Sequence, residues 1–219
     1  ELNRYRGFWW SPESTSLVVE RVDESEVALV NLADPTDPKA EVRTHRYPFA
    51  GTKNPSCEFY VIDLMGNKNK LEIDSQEFEY VTDVDFYSEN LVHLTLLTRD
   101  QKNMVLKEFN LSSNTNKDLW ARNHKSWVEV TAGAPRLFEN HLITLEGKDN
   151  RQLFVDGLAI TDSSFDVRSI LTVDKRGFFL QISKSQSTSA LIFVDWKGQI
   201  TPVGPQDAFV SGGKKEQLT

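Results

Sequence analysis

The sequence predicts an all-β fold, a partial β-propeller of about four four-stranded antiparallel blades. The first observation is that short runs of β-branched and aromatic residues alternate with polar turns along most of the 219 residues. The second is that one type of strand end recurs at intervals of about 39 to 47 residues, the period of a four-stranded blade. The third is that helical periodicity is absent over any useful window.

The recurring strand end is an apolar strand that closes on Asp or Asn. Its copies are Val61-Ile62-Asp63, Glu108-Phe109-Asn110, Phe154-Val155-Asp156 and Phe193-Val194-Asp195. Asp and Asn favour turns because their side chains bond nearby backbone groups. We therefore expect this residue to set the turn into the fourth strand of each blade.

The first blade is predicted from four strand-like runs, which are rich in β-branched and apolar residues. They span residues 17–22, 27–30, 58–64 and 70–73. The intervening segment 33–39 contains two prolines and two aspartates. Because proline cannot donate to a ladder and aspartate favours turns, this segment is predicted to be a loop or an edge ribbon.

The later blades repeat the same pattern. Strands are predicted at residues 80–86, 91–97, 104–111, 127–131, 142–145, 151–156, 169–173, 178–182 and 190–196. The expected organisation is a blade with an extended arm at 1–76, then blades at 77–123, 124–163 and 164–207, and a polar tail at 208–219. Residues 209–213 resemble the start of a fifth blade.

Stacking explains why such blades occur together. Each small sheet can bury a face only against the next sheet, so neighbours supply the core. The five tryptophans, Trp9, Trp10, Trp120, Trp127 and Trp196, are predicted to pack mostly between blades. A β-sandwich is the alternative architecture, but it does not predict a four-strand period.

Composition excludes several classes of protein. The net charge is −7, and the basic residues are scattered, whereas a nucleic-acid surface needs clustered Lys and Arg. Cys57 is the only cysteine, which rules out an intrachain disulfide and a cysteine-based metal site. It is predicted to pack as a small hydrophobe. No membrane span or signal sequence is found.

The chain does not begin with Met, so we expect it to be an inner portion of a longer protein. Its location cannot be read from the sequence, and a bacterial periplasm and a cytoplasm both stay open.

The opening stretch, residues 1–64, contains several motifs that together resemble the N-terminal propeller of the dipeptidyl peptidase IV family, in the prolyl oligopeptidase clan. The motifs are Gly7-Phe8-Trp9-Trp10-Ser11-Pro12, Asp23-Glu24-Ser25-Glu26-Val27, Arg46-Tyr47-Pro48-Phe49-Ala50-Gly51-Thr52-Lys53-Asn54-Pro55 and Tyr60-Val61-Ile62-Asp63-Leu64. From Lys70 onward the likeness is one of blade pattern.

The resemblance implies a serine exopeptidase that releases N-terminal dipeptides with Pro or Ala second. In that family an eight-bladed propeller precedes an α/β-hydrolase domain, which would be the missing partner in the same chain. No Gly-x-Ser-x-Gly nucleophile elbow occurs here, so no catalytic triad residue is predicted. The parent is expected to bind peptides with a free N-terminus and to form a homodimer.

The resemblance also implies one substrate-binding residue. In the family, a pair of glutamates binds the α-ammonium of the substrate, and Glu1 matches the second of the pair by its position before Leu2 and the Arg-rich run. Two carboxylates suit an ammonium because it carries three donors and a positive charge. The alternative interpretation is that Glu1 is a solvated terminal residue.

Two further segments of the chain have counterparts in the family. Residues 31–44 correspond to an arm that contributes to the family's dimer. Some relatives use a later propeller arginine for substrate contact, but the comparable stretch, residues 127–132, contains no arginine.

No cofactor and no metal site is predicted. His45, His93, His124 and His141 lack ligand-like spacing. His93 alternates with apolar neighbours in a strand, so it is expected to face solvent or to pair locally. Asp83 and Asp85 share a strand face, which could hold a cation or stage acid–base chemistry, although a polar strand face is the simpler interpretation.

Three functions remain open from the sequence. The first is the gating and N-terminus-recognising propeller of a dipeptidyl peptidase. The second is a non-catalytic propeller that serves as a protein-binding scaffold. The third, a propeller glycosidase or lyase, would need carboxylates clustered near a central channel, and the sequence places none there.

Overall fold

A computed structural model describes residues 6–37 and 39–206. Across these ranges the regular secondary structure is β-strand throughout, and no helix occurs. The strands form four four-stranded sheets and one two-stranded ribbon, and all pairings between named strands are antiparallel. The all-β prediction with repeated four-stranded units is confirmed.

The chain divides into two compact units, residues 1–128 and 129–219. The first unit contains the strands β1 (Phe8–Trp10), β2 (Ser16–Asp23), β3 (Leu29–Leu32), β4 (Arg43–Arg46), β5 (Ser56–Asp63), β6 (Lys68–Leu71), β7 (Tyr80–Ser88), β8 (Leu91–Leu97), β9 (Asn103–Asn110) and β10 (Thr115–Asn123). Its first sheet has the order β1-β2-β5-β6, because the β3–β4 ribbon is inserted between β2 and β5. Its second sheet follows chain order from β7 to β10.

The second unit contains two sheets in simple chain order. Its strands are β11 (Arg136–Phe138), β12 (His141–Glu146), β13 (Gln152–Val155), β14 (Leu158–Ala159), β15 (Asp166–Asp174), β16 (Gly177–Ser185), β17 (Thr188–Asp195) and β18 (Ile200–Val203). The predicted blade boundaries stay predictions, as does the fifth blade, because residues 207–219 lie outside the described part of the chain.

The core of the first unit is formed by facing side chains of its two sheets. Val18 and Phe59 from the first sheet and Val92 and Leu94 from the second are fully buried in one apolar cluster. Trp9 covers this cluster, with its ring centroid 6.3 Å from that of Phe59. Because successive strand side chains point to opposite faces, each sheet contributes every second residue to the core.

The second unit has its own core, in which Phe178 and Val194 are fully buried. Trp196 closes one side, since its ring lies 4.6 Å from that of Phe178 and 5.8 Å from that of Phe138. The indole Nε1 donates to the carbonyl oxygen of Asp174 at 3.1 Å. Its polar atom is therefore satisfied within the packed cluster.

The predicted turn residues behave as expected in three of the four repeats. Oδ1 of Asp63 accepts from the backbone N–H groups of Met65 and Asn67, and Asp195 does the same for Lys197 and Gln199. Asn110 accepts from the N–H groups of the two serines that follow Leu111.

Asp156 is the exception, and it is the first of only two residues that connect β13 to β14. Asp156 and Gly157 both have positive φ, at 50° and 80°, as in the tight hairpin turns that match strand twist. The Asp156 carboxylate bonds instead to the N–H of Leu142 and to Nδ1 of His141, at 2.8 and 2.6 Å. Here the side chain ties two strands together rather than capping its own turn.

The strand predicted at 127–131 is wrong. This stretch is irregular, and the first strand of the third sheet is β11. The β-branched residues favour extended structure, but the backbone N–H groups bond to loops: that of Trp127 donates to Nδ1 of His124, and that of Val128 to the carbonyl of Gln101. Without a neighbouring ladder, β propensity does not produce a strand.

Smaller shifts occur at the runs predicted at 27–30 and 70–73, where β3 begins at Leu29 and β6 ends at Leu71.

The tryptophan prediction is only partly correct. Trp9 and Trp196 pack in the cores, but Trp10 and Trp127 are 51% and 64% exposed. Trp120 is partly buried, and the guanidinium of Arg122 lies 5.0 Å from the centre of its ring. Cys57 packs against the first core, as predicted.

An ion cluster on the first sheet is centred on the carboxylate of Glu58. Oε2 accepts from Arg21 at 2.7 Å and from the Tyr60 hydroxyl at 3.0 Å, while Oε1 accepts from Lys70 at 2.7 Å. These hydrogen bonds, that from Lys70 the strongest, lower the pKa of Glu58 from 4.5 to about 2. The cluster links β2, β5 and β6 at one end of the sheet.

We expect Phe59→Ala to lower the free energy of unfolding by about 3–5 kcal/mol, because it leaves a cavity at a fully buried position. Phe49 is 48% exposed, so the matched change Phe49→Ala should cost about 0.5 kcal/mol. Urea denaturation of the three proteins measures both effects. Equal losses would contradict the assignment of Phe59 to the core.

We expect the stabilisation by the Glu58 cluster to depend on pH. Because the pKa of Glu58 is about 2 in the folded chain and near 4.5 without its partners, the contribution is complete above about pH 4.5 and is lost as pH falls toward 2. The difference in unfolding free energy between wild type and Glu58→Gln should therefore shrink from about pH 7 to about pH 3. Lys70→Met, which removes the strongest donor, should weaken this pH dependence. A difference that is constant over this range would refute the assignment.

Candidate functional site at the entry to the first sheet

The candidate site lies at the end of the first sheet where the chain enters β1. Because neighbouring strands are antiparallel, β1 and β5 begin at this end, whereas β2 and β6 finish there. The carbonyl of Gly7 accepts from the N–H of Glu20 at 2.8 Å, and Phe8 pairs with Val19. β1 therefore begins at the same end of the sheet as the Glu58 cluster.

Glu1, the predicted substrate-binding residue, lies outside the described residues. Its role as the second glutamate of an ammonium-binding pair thus stays a prediction. What the structure does describe is the anchor of the following strand, with Trp9 packed on Phe59 and β1 paired to β2.

The Glu58 cluster forms one wall of a cavity of about 210 Å³ at this end of the sheet. Arg21, Asp23 and Lys70 also line it. Because the pKa of Glu58 is so low, its carboxylate is charged at neutral pH and cannot serve there as a general acid. The cluster suits an electrostatic and anchoring role.

A second cavity, of about 290 Å³, adjoins the first. The two share Ser56, Cys57, Ile73 and Ser75, and the second extends to Arg99. Both are built entirely from residues of the first unit.

The inserted ribbon is the most exposed element of the first unit. In β3 and β4 no side chain is buried, and Leu29 and Leu32 are 64% and 52% exposed. Its base is held by Arg46, whose guanidinium donates to the carbonyl oxygens of Ser25 and Val27 at 2.9 and 2.7 Å. A two-stranded ribbon with exposed apolar side chains is suited to packing against another protein surface.

The structure shows the surroundings of His93, Asp83 and Asp85. His93 does not face solvent; it is 3% exposed, and its Nε2 lies 3.1 Å from Oε2 of Glu108, which is the predicted local pairing. Burial alone would raise the pKa of Glu108, but hydrogen bonds from His93 and Lys117 outweigh burial and lower the pKa. Asp83 and Asp85 pair in register with Thr95 and His93 across β7 and β8.

Within residues 6–37 and 39–206, no group of three His, Cys, Asp or Glu side chains is arranged to hold a metal ion. The same residues contain no helix that is long and apolar enough to span a membrane. The stretch 127–132, compared above with an arginine-bearing position in relatives, is irregular and exposes Trp127.

Sequence reasoning missed the Glu58 cluster. Arg21 and Glu58 are 37 residues apart, and only the β2–β5 register places them opposite each other. The alternation of side chains along the strands gave a usable signal for part of the cluster. Glu58 and Tyr60 share a face of β5, and Lys70 lies on the neighbouring strand β6.

Comparison with known proteins identifies the family of this chain. A family model described as the dipeptidyl peptidase IV N-terminal region matches residues 1–205. Human dipeptidyl peptidase 8 is 26% identical over 103 residues, which cover 43% of this chain and 12% of that protein. Rat inactive dipeptidyl peptidase 10 is 30% identical over 114 residues, covering 48% of this chain and 14% of the relative.

A crystal structure of Porphyromonas gingivalis dipeptidyl peptidase 4 matches with a TM-score of 0.74 at 22% identity, over 92% of this chain and 31% of that chain. At this identity the likeness concerns the fold, and it confirms the predicted partial β-propeller. This chain spans less than a third of that structure and about an eighth of human dipeptidyl peptidase 8. Because the family model covers nearly all of its residues, the chain belongs to the dipeptidyl peptidase IV family, in the N-terminal region.

Proposed function

We propose that the full-length protein is a serine exopeptidase that removes N-terminal Xaa-Pro or Xaa-Ala dipeptides, and that this chain is part of its propeller. The observation that carries the proposal is the match of the dipeptidyl peptidase IV N-terminal region to residues 1–205. The nucleophile, base and oxyanion hole would come from an α/β-hydrolase domain of the same protein, because this chain lacks a nucleophile elbow.

The role of this chain would be to restrict access and to fix the N-terminus of the peptide. An ammonium held by two carboxylates places the substrate chain at a set distance from the nucleophile, so that cleavage occurs after two residues. Glu1 would provide one of those carboxylates. The support is its position in sequence just before β1, a strand anchored by Trp9 on Phe59 and by the Gly7–Glu20 hydrogen bond.

The exposed ribbon supports a second part of the proposal, dimerisation of the full-length protein. Leu29 and Leu32 present apolar surface to solvent, and burial of such residues at a subunit interface would be favourable. Charged residues on β4, Arg43 and Arg46, disfavour open-ended strand addition.

The alternative is a non-catalytic propeller that binds other proteins. One observation favours it: rat inactive dipeptidyl peptidase 10 is among the relatives and is about as similar as the others. The alternative predicts that the full-length protein has no peptidase activity even when it is correctly folded.

We expect Glu1→Gln in the full-length protein to lower kcat/KM for a Gly-Pro chromogenic substrate by about 30-fold, since loss of one charged partner of an ammonium costs about 2 kcal/mol or more. Steady-state kinetics measures the effect. Glu24→Gln, in the exposed turn after β2, is the matched control and should leave the kinetics unchanged. Normal activity in Glu1→Gln would show that the assignment of Glu1 is wrong.

Removal of residues 33–43 should convert the full-length protein from dimer to monomer, because it deletes the connection between β3 and β4 together with Arg43, and so disrupts the ribbon that presents Leu29 and Leu32. Size-exclusion chromatography with light scattering measures the change. Sheet pairing between β2 and β5 lies outside the deletion, so the thermal stability of each subunit should be nearly retained. An unchanged dimer would end this part of the proposal.

A further inference from the structure

The two cavities at the entry end of the first sheet form one groove. They meet at Cys57 and Ile73, and together they run from Arg21 on β2 to Arg99 after β8. Their volumes are about 210 and 290 Å³. The groove is open to solvent at its charged rim and belongs wholly to the first unit.

Hydrogen-bond donors in the second cavity are incompletely used. The Arg99 guanidinium reaches Glu79 and the carbonyl of Phe49 only at 3.4 and 3.5 Å, the outer limit for such bonds. The side-chain Nδ2 of Asn54 is shielded from solvent and has no acceptor among the described residues. Shielded donors are normally paired, so the Nδ2 of Asn54 is a donor still available to an acceptor oxygen.

Acceptors and apolar surface complete the groove. Glu26 and Glu79 place carboxylates on the rim, where Glu26 pairs with Lys53 at 2.7 Å. Ile73, Phe78 and Val81 add apolar surface to the lining. The two ion pairs, Lys53–Glu26 and Arg99–Glu79, leave this part of the rim without net charge.

We propose that this groove binds an extended peptide segment with an aliphatic side chain. A peptide group is neutral and offers one hydrogen-bond acceptor and one donor. Its carbonyl oxygen suits the incompletely bonded donors of the rim, and its N–H suits the neighbouring carboxylates. In an extended chain every second side chain points the same way, so an aliphatic residue can rest on Ile73 and Phe78 while the backbone meets Arg99. An isolated anion fits less well because the paired charges leave this part of the rim with no net positive charge.

The inference deepens the proposed function, on which it rests for the identity of the peptide. The groove lies at the end of the first sheet at which β1 begins. The bound segment is therefore the part of the peptide substrate beyond its N-terminal dipeptide. The groove would favour long peptides over short ones without touching the reacting bond.

Kinetics of the full-length protein separates this role from N-terminus binding. The probes are Gly-Pro-p-nitroanilide and a decapeptide that begins Gly-Pro and carries leucine at alternate later positions. Arg99→Ala should raise KM for the decapeptide about 5-fold and leave kcat and the kinetics of the nitroanilide unchanged. Arg176→Ala, an exposed ion-paired arginine outside the groove, should change neither. An unchanged KM for the decapeptide in Arg99→Ala would overturn the proposal.

Direct binding tests the groove even if the protein lacks peptidase activity. The probe is the same decapeptide with an acetylated N-terminus and a C-terminal fluorescein, because it offers no ammonium to the glutamates. Its anisotropy should rise saturably with wild-type protein, and Arg99→Ala should weaken binding at least 5-fold relative to Arg176→Ala. Absence of saturable binding, or equal affinity in the two variants, would refute the groove. Absence of cleavage with retained binding would refute only the proposed peptidase.

Discussion

Burial of one sheet face against another is the interaction on which the structure depends. In the first unit, Val18 and Phe59 meet Val92 and Leu94 from the next sheet, and all four are fully buried. Burial of each such side chain contributes about 1.5–3 kcal/mol. A single four-stranded sheet has no comparable means of covering its apolar face. The packing of one sheet on the next is therefore the main stabilising interaction, and the turns and surface clusters are arranged around it.

This constraint separates what the sequence could predict from what it could not. Strand–turn alternation and the period of about 39 to 47 residues are local properties, and they predicted repeated four-stranded units. The Asp or Asn at the end of the third strand is also local, and it caps the following turn at Asp63, Asn110 and Asp195. Asp156 departs from the rule because its hairpin loop has only two residues.

The failures occurred where the outcome depends on a distant partner. Residues 127–131 have strand propensity, but loops rather than a neighbouring strand accept their hydrogen bonds. Trp10 and Trp127 look like core residues by type, yet both are more than half exposed. The Glu58 cluster depends on the register between β2 and β5 across the inserted ribbon, which the alternation within one strand does not specify. The resemblance of residues 1–64 to a family pointed to Glu1, but not to the groove beside the Glu58 cluster.

The first unit thus combines a packed pair of sheets with three distinct surface features at or near one sheet. These are the entry of the chain into β1, the exposed ribbon and the groove beside the Glu58 cluster. Anchoring of β1 by Trp9 on Phe59 would give any residue just upstream a fixed base. The ribbon would act between subunits, and the groove on the body of a bound peptide. A propeller can supply all three without taking part in bond cleavage.

The most direct test of the proposed peptidase activity is mass spectrometry of a peptide library after incubation with the full-length protein. The full-length protein should release N-terminal dipeptides with Pro or Ala second, and should release none from the same library after N-terminal acetylation. A correctly folded protein that releases no dipeptides, or that cleaves acetylated peptides equally well, would contradict it.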